Sequence, residues 1–256
     1  MKAKKSFGQH FLKNTYLTAN MAKIVSEWNH VPNLLEVGPG RGILTKELIR
    51  LDKKFRAVEL DRDMIAYLKD QHLLADNELI EQDILKLDMK EVFQGEPFLL
   101  VGNFPYNISS RIVIKMLQNK NLIPAGLGMF QYEMAKRIVG KVNTKDYGSL
   151  AILTQVFYDA KIVYKVKPGD FSPPPNVLSA VVRFERKNED PGISFHSLEK
   201  VVRSAFTHRR KKLRNNFSDP VLKQKAEEMN LNDLRGEQVK METFVDLAKK
   251  VEEVGK

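Results

Sequence analysis

The segment Leu34-Leu-Glu-Val-Gly38-Pro-Gly-Arg-Gly42 decides the fold. A short apolar run enters a glycine-rich turn, after which Ile43, Leu44, Leu48 and Leu51 share one helical face. Glycines in such a strand-to-helix turn permit positive φ and let the backbone approach a ligand closely. A dinucleotide site would carry G-x-G-x-x-G, with the pyrophosphate on the helix N-terminus. Here the spacing is G-x-G-x-G, with Ile43 where the last glycine would fall and Pro39 lacking an amide donor. That disfavours a nicotinamide dinucleotide and favours a ligand without a pyrophosphate.

Working outward, β-rich runs alternate with helical patterns from residue 33 to about 185, the signature of a parallel sheet covered on both faces. Strands are predicted at 34–37, 55–60, 79–82, 98–102, 128–131, 161–166 and 177–184. Met64, Ile65 and Leu68 form one apolar helical stripe, and Ile112, Val113, Met116 and Leu117 another. After Glu185 a polar linker leads into a tail without strand-like runs. Helices are predicted there near 196–206, 209–217, 219–229 and 240–252. The expected organisation is an α/β domain over residues 1–188 and a small all-helical domain over 189–256.

Composition narrows the chemistry. With 42 Lys+Arg against 32 Asp+Glu, the net charge of +10 suits a polyanionic partner such as nucleic acid. The chain has no cysteine, so a disulfide framework, a thiolate zinc site, an iron–sulfur cluster and a cysteine nucleophile are all excluded, and no metal site is expected. No apolar run approaches the roughly 18 residues of a membrane span. Met1-Lys-Ala-Lys-Lys-Ser-Phe7 leads into Gly8-Gln-His-Phe11 without the apolar core of a secretory signal. A cytoplasmic monomer with no membrane association is the expectation.

Carboxylates stand at three strand ends. Glu59, 21 residues after Gly38, can accept both hydroxyls of a ribose, and Asp83 follows the third strand where an adenine amino group would fall. With Glu36, these suit a cationic adenosine derivative, and S-adenosylmethionine carries a sulfonium. The fourth strand ends in Val101-Gly-Asn103-Phe-Pro-Tyr106, at the sheet edge where open α/β proteins bind ligands. An exocyclic adenine amine is a poor nucleophile because its lone pair is delocalised into the ring, so it needs hydrogen-bond acceptors. The Asn103 side-chain oxygen and the Phe104 or Pro105 carbonyl can supply them. Tyr106 can stack on a flipped base, and Pro105 stiffens the loop.

Phe7-Gly-Gln-His-Phe-Leu12, Glu36-Val-Gly-Pro-Gly40, Glu59-Leu-Asp61, Asn103-Phe-Pro-Tyr-Asn107, Phe171-Ser-Pro-Pro-Pro-Asn-Val-Leu-Ser-Ala-Val-Val182 and Ala205-Phe-Thr-His-Arg-Arg-Lys-Lys-Leu-Arg-Asn-Asn216 occur in this order. Together they resemble the small-subunit (16S) rRNA adenine N6,N6-dimethyltransferases of the KsgA type, over nearly the whole chain. The resemblance implies a Rossmann-like class I methyltransferase domain with a seven-stranded sheet. It places His10, Leu12, Gly38, Glu59, Asp83 and Asn103 around S-adenosylmethionine, with the N-terminal arm folding over the cofactor, and Glu36 and Gly40 of the glycine-turn segment complete the expected cofactor-binding set. It also implies that two adjacent adenosines in the 3′-terminal hairpin of 16S rRNA, within the small ribosomal subunit, each receive two methyl groups. The chain departs from the usual pattern at Phe104, at Gly169-Asp170 and at Thr207-His208. Phe171, ahead of Pro173-Pro-Pro175, is expected to close over the base as a second stacking face.

His208-Arg-Arg-Lys-Lys-Leu-Arg214, with Arg203 upstream and Lys2, Lys4 and Lys5 at the other terminus, predicts a phosphate-tracking patch. Its candidates are Arg203, Arg209, Arg210, Lys211, Lys212 and Arg214. Such contacts position RNA without reading its sequence. Two other readings are a non-catalytic RNA- or DNA-binding assembly or transcription factor on the same fold, and a large-subunit rRNA adenine methyltransferase. The intact Asn103-Phe-Pro-Tyr106 and Glu59 argue against the first, and the basic tail match argues against the second.

Overall fold

Nine strands and eleven α-helices are assigned in a computed structural model that describes residues 10–254. The strands are β1 (Phe11–Leu12), β2 (Asn33–Val37), β3 (Lys54–Glu59), β4 (Leu79–Glu81), β5 (Phe98–Asn103), β6 (Ala125–Gln131), β7 (Tyr158–Val166), β8 (Phe171–Ser172) and β9 (Ser179–Arg186). The helices are α1 (Thr15–Glu27), α2 (Thr45–Leu48), α3 (Arg62–Asp70), α4 (Met89–Val92), α5 (Ser109–Gln118), α6 (Tyr132–Ile138), α7 (Ser149–Phe157), α8 (Phe195–Ala205), α9 (Leu213–Asn216), α10 (Pro220–Glu228) and α11 (Met241–Val254). Among the described residues no helix is long and apolar enough to cross a membrane.

Contacts group the described residues up to Ala135 with Lys161–Arg186, and Lys136–Ala160 with the residues from Lys187 onward. Whereas the sequence marks one boundary at residue 188, the chain crosses between these two units near 135 and 160 as well.

In the first unit the seven-stranded sheet has the order β4-β3-β2-β5-β6-β9-β7. Strands β4, β3, β2, β5 and β6 run parallel, but β9 is antiparallel to β6, pairing from Ala125↔Glu185 to Gln131↔Ser179. The sheet is therefore mixed, a departure from the all-parallel expectation. Every residue of β2 is buried, as a central strand covered on both faces requires. The register Val37↔Val58, Glu59↔Glu81 and Glu36↔Val101 brings the C-terminal ends of β2 to β5 to one edge. Strand order reverses between β2 and β5, and open α/β sheets bind ligands at such a switch point.

In the second unit α11 packs on α7, α8 and α10, and α7 packs on α8. The ring pairs Phe157–Phe195 (6.2 Å) and Phe206–Phe244 (6.1 Å) lie in this core. α10 starts on Asp219, whose carboxylate accepts the Val221 and Leu222 amides, with Pro220 needing no partner at the first position. The helix expected over 209–217 shrinks to α9. Buried Asn216 accounts for this: its Nδ2 donates to the carbonyls of Ala205 (2.9 Å) and His208 (3.2 Å), and its Oδ1 accepts the His208 amide (3.0 Å). One side chain thus satisfies backbone groups of a turn that a continuous helix would otherwise have to satisfy.

Candidate active site

Residues from the ends of β2 to β5 and from β1 line a cavity of about 280 Å³ within the first unit. That is close to the lower bound for small-molecule sites. Of the predicted residues, His10, Leu12, Glu36, Gly38, Gly40, Glu59, Asp83, Asn103, Pro105 and Tyr106 all reach its wall.

The glycine turn makes the wall thin. Gly40 has φ +54°, which strains any side chain, and a Cβ there would crowd the Phe11 ring at 3.2 Å. Arg41 lies over the same ring, 4.5 Å from its centroid. Glu59 is oriented by its own backbone surroundings. Its Oε1 accepts the Leu60 and Asp61 amides (both 2.9 Å), and its Oε2 accepts the Gly40 amide (3.3 Å). Burial raises its pKa, and the three amide bonds oppose the rise by favouring the ionised form. Asp83 Oδ1 accepts the Leu85 amide (2.9 Å), which leaves Oδ2 to meet a ligand.

Glu36 sits deeper, at 1% exposure, and its Oε2 has no hydrogen-bond partner among the described residues. Burial pushes its carboxyl up to about 8; the Thr45 hydroxyl opposes this and the charge of Glu59 adds to it. An unpartnered buried acid facing a cavity demands a donor or a cation. A cationic group such as the sulfonium of S-adenosylmethionine fits this set of acidic acceptors, which line one cavity.

Asn103, in the same lining, donates its Nδ2 to the His10 carbonyl (3.0 Å), which aims Oδ1 away from the arm. The His10 ring stacks on Tyr106, with centroids 5.5 Å apart and planes 29° apart, and its Nδ1 lies 2.9 Å from the Pro173 carbonyl oxygen. Tyr106 is tied to Ser179 (Oη···Oγ 2.6 Å), and burial raises its pKa. Phe104 is 3% exposed and meets Phe130 edge to face at 5.3 Å. The larger ring is accommodated because Gly128 has no side chain: a Cβ there would fall 2.5 Å from Phe104. Phe104 therefore anchors the loop in the core beside Phe130 and Gly128, and Asn103 and Tyr106 line the cavity.

Phe171 requires a correction. It is 1% exposed, packs in the core with Leu12, Val166 and Val181, and is absent from the cavity wall. Its strand β8 pairs with β1 (Phe11↔Ser172, Leu12↔Phe171), so it fastens the arm rather than facing a base. The Asn14 side chain donating to Asp170 (2.9 Å) strengthens this clasp. The departing Gly169-Asp170 thus has a structural use. Arg41, Leu60 and Arg111 also line the cavity although sequence reading did not single them out. Leu60 alone carried a signal, as the residue directly after Glu59 in the Glu59-Leu-Asp61 motif.

The basic candidates in the second unit are unequal. Arg209 bonds to Glu237 (3.2 Å) and to the carbonyls of Lys145 and Tyr147, which makes it a staple of the 144–147 turn. Lys212 (2.8 Å) and Arg214 (2.9 Å) share Asp233, and Arg203 pairs with Glu199 (2.8 Å). Arg210 and Lys211 are exposed and form no ion pair among the described residues. Lys2, Lys4, Lys5 and the Phe7-Gly-Gln9 part of the arm motif lie outside the described residues.

Residues 1–253 match the family model described as "Ribosomal RNA adenine dimethylase". The chain belongs to this family. It is 40% identical to ribosomal RNA small subunit methyltransferase A of Bacteroides thetaiotaomicron, over 99% of this chain and 95% of the relative. The protein of the same description from Flavobacterium johnsoniae is 39% identical, over 100% and 98% of the two chains. In fold, the rRNA adenine dimethylase chain is similar to a dimethyladenosine transferase from Plasmodium falciparum, with a TM-score of 0.78 at 24% identity over 96% of this chain and 98% of the other.

Proposed function

We propose that the protein uses S-adenosylmethionine to methylate N6 of two adjacent adenosines in the 3′-terminal hairpin of 16S rRNA, giving dimethyladenosines during small-subunit biogenesis. The observation that carries this reading is one cavity lined both by the acids Glu36, Glu59 and Asp83 and by the Asn103-Phe-Pro-Tyr106 loop. When bound, S-adenosylmethionine supplies an electrophilic methyl group on a sulfonium.

The remaining work falls to the chain's own residues. Glu59, held by three amides, retains acceptor capacity for ribose hydroxyls. Asn103 Oδ1 accepts one N–H of the target amine. The Pro105 carbonyl already accepts the Ile108 amide (3.1 Å), so the Phe104 carbonyl is the better second acceptor. Two acceptors favour the pyramidal amine, whose lone pair is released from the ring toward the methyl group, and this stabilisation develops in the transition state. Tyr106, fixed through Ser179, offers its ring to the flipped base. The β1 arm covers the cavity and excludes water.

For the RNA, Arg210 and Lys211 are the cations available to phosphate without breaking a bond. Lys212 and Arg214 can exchange their exposed pairs with Asp233, because such pairs contribute little. Arg209 ties its own segment to the 144–147 turn and to Glu237.

Purified protein, S-adenosylmethionine and small subunits lacking these methyl groups test the proposal, with mass spectrometry of the 16S rRNA as readout. Two adjacent dimethyladenosines are expected in the 3′-terminal hairpin. Methylation elsewhere, or none, overturns the assignment.

A further inference from the structure

The buried acid at the end of β2 has a consequence beyond cofactor contact. Glu36 is 1% exposed, lies at the cavity wall, and carries an oxygen without a partner among the described residues. Its strand neighbours at that register are Ala57 and Val101, neither of which can solvate a charge. The charged or titratable groups that share the cavity are His10 from the arm, Arg41 from the glycine turn, Glu59 from β3, Asp83 after β4 and Arg111 from α5. Asp61, at the start of α3, adds a further negative charge beside Glu59.

Glu59 is the neighbour whose charge acts on Glu36, and its three amide bonds favour its ionised form. Two carboxylates in one desolvated site do not both ionise readily unless a cation joins them. Resting on the S-adenosylmethionine reading, we propose that Glu36 is the neutral acid in the ligand-free site and ionises when a cationic cofactor enters, so that capture of the cofactor releases a proton. The balance is Glu36–COOH plus cationic cofactor giving Glu36–COO⁻ beside the cofactor, with the proton leaving to solvent. No bond of the cofactor changes. The acid thereby senses cofactor charge, and an uncharged nucleoside thioether gains nothing from it.

The magnitude follows from burial, which holds the Glu36 carboxyl up to about 8. An adjacent opposite charge lowers an acid's pKa by about 1 to 3 units. At pH 7 about 0.4 to 0.9 proton should then leave per cofactor bound.

Calorimetry at pH 7, repeated in buffers of different ionisation enthalpy, counts that proton directly and needs no turnover. S-adenosylmethionine and 5′-methylthioadenosine are titrated into the wild-type protein and into Glu36→Gln, which keeps the shape of the neutral acid. The wild type should release a proton with S-adenosylmethionine and little with methylthioadenosine. Glu36→Gln should lose most of the release with S-adenosylmethionine. Binding of S-adenosylmethionine to the wild type without proton release overturns the proposal and leaves the methyltransferase reading standing. Equal release from Glu36→Gln also overturns it, assigning the proton to Glu59 or another group. Failure of S-adenosylmethionine to bind the wild type overturns both. Absence of release in the wild-type buffer series overturns the proposal whether or not the variant folds.

Discussion

Two substitutions of Asn103 separate its two bonds. Its Nδ2 donates to the His10 carbonyl at 3.0 Å, and its Oδ1 is the proposed acceptor for the target amine. Ala removes both. The arm bond is worth about 0.5–1.5 kcal/mol net, so cofactor affinity should fall by about two- to twelvefold. Loss of a group acting in the transition state costs about 2.7–4 kcal/mol elsewhere, a rate loss on the order of a hundredfold or more. Asp keeps an acceptor for the amine, but where Ala leaves room for water beside the His10 carbonyl, Asp holds a second acceptor against it and leaves it unsatisfied, at a cost of about 1–3 kcal/mol. Its turnover should therefore exceed that of Ala while its cofactor affinity falls further, by roughly 5- to 150-fold. Single-turnover methylation of unmodified small subunits at saturating cofactor, beside calorimetric titration, measures the two quantities. Asn103→Ala methylating at the parental rate would refute the loop assignment. Parental cofactor affinity in Asn103→Asp would refute the view that the His10 contact orients the amide.

Phe171→Ala should cost about 3–5 kcal/mol of stability, as for other fully buried aromatic side chains, measured by urea unfolding; unchanged stability with lost RNA binding would restore the base-stacking role. Arg209→Ala should lower thermal stability with a modest effect on RNA. The double change Arg210→Ala with Lys211→Ala should leave stability intact and flatten the salt dependence of binding by about 0.7–0.9 per lost phosphate contact. RNA affinity at low salt that responds only to Arg209→Ala would reverse that ranking. Because Glu36 keeps a proton to about pH 8 when folded and releases it near 4.5 when unfolded, the ligand-free protein should lose stability as pH rises between those values. Glu36→Gln should flatten that slope in thermal melts across the same range, and identical slopes in the two proteins would contradict the buried neutral acid.

Features carried by contiguous residues were legible in the sequence. The strand, glycine turn and helix around Gly38 follow from an apolar run beside backbone-permissive residues. Glu36, Glu59 and Asp83 could be placed because strand ends in an α/β unit converge on one edge. A helix announced by a capping Asp-Pro pair, such as α10, was also readable. By contrast α7, Ser-Leu-Ala-Ile-Leu-Thr-Gln-Val-Phe157, is apolar around most of its circumference and shows no periodic face to detect. Its grouping with the tail required contacts between distant segments.

The same limit governs single side chains. Sequence identifies Phe171 as aromatic and Arg209 as cationic, but their destinations depend on partners far along the chain. Phe171 is buried because β8 pairs with β1, and Arg209 is spent on the 144–147 turn and Glu237. Glu36 shows the division most clearly. That a carboxyl stands at the end of β2 is a property of the sequence. That it is buried at the cavity wall, beside Glu59 and with an oxygen short of a hydrogen-bond partner, is decided by tertiary packing, because the energy of a charge depends on what surrounds it.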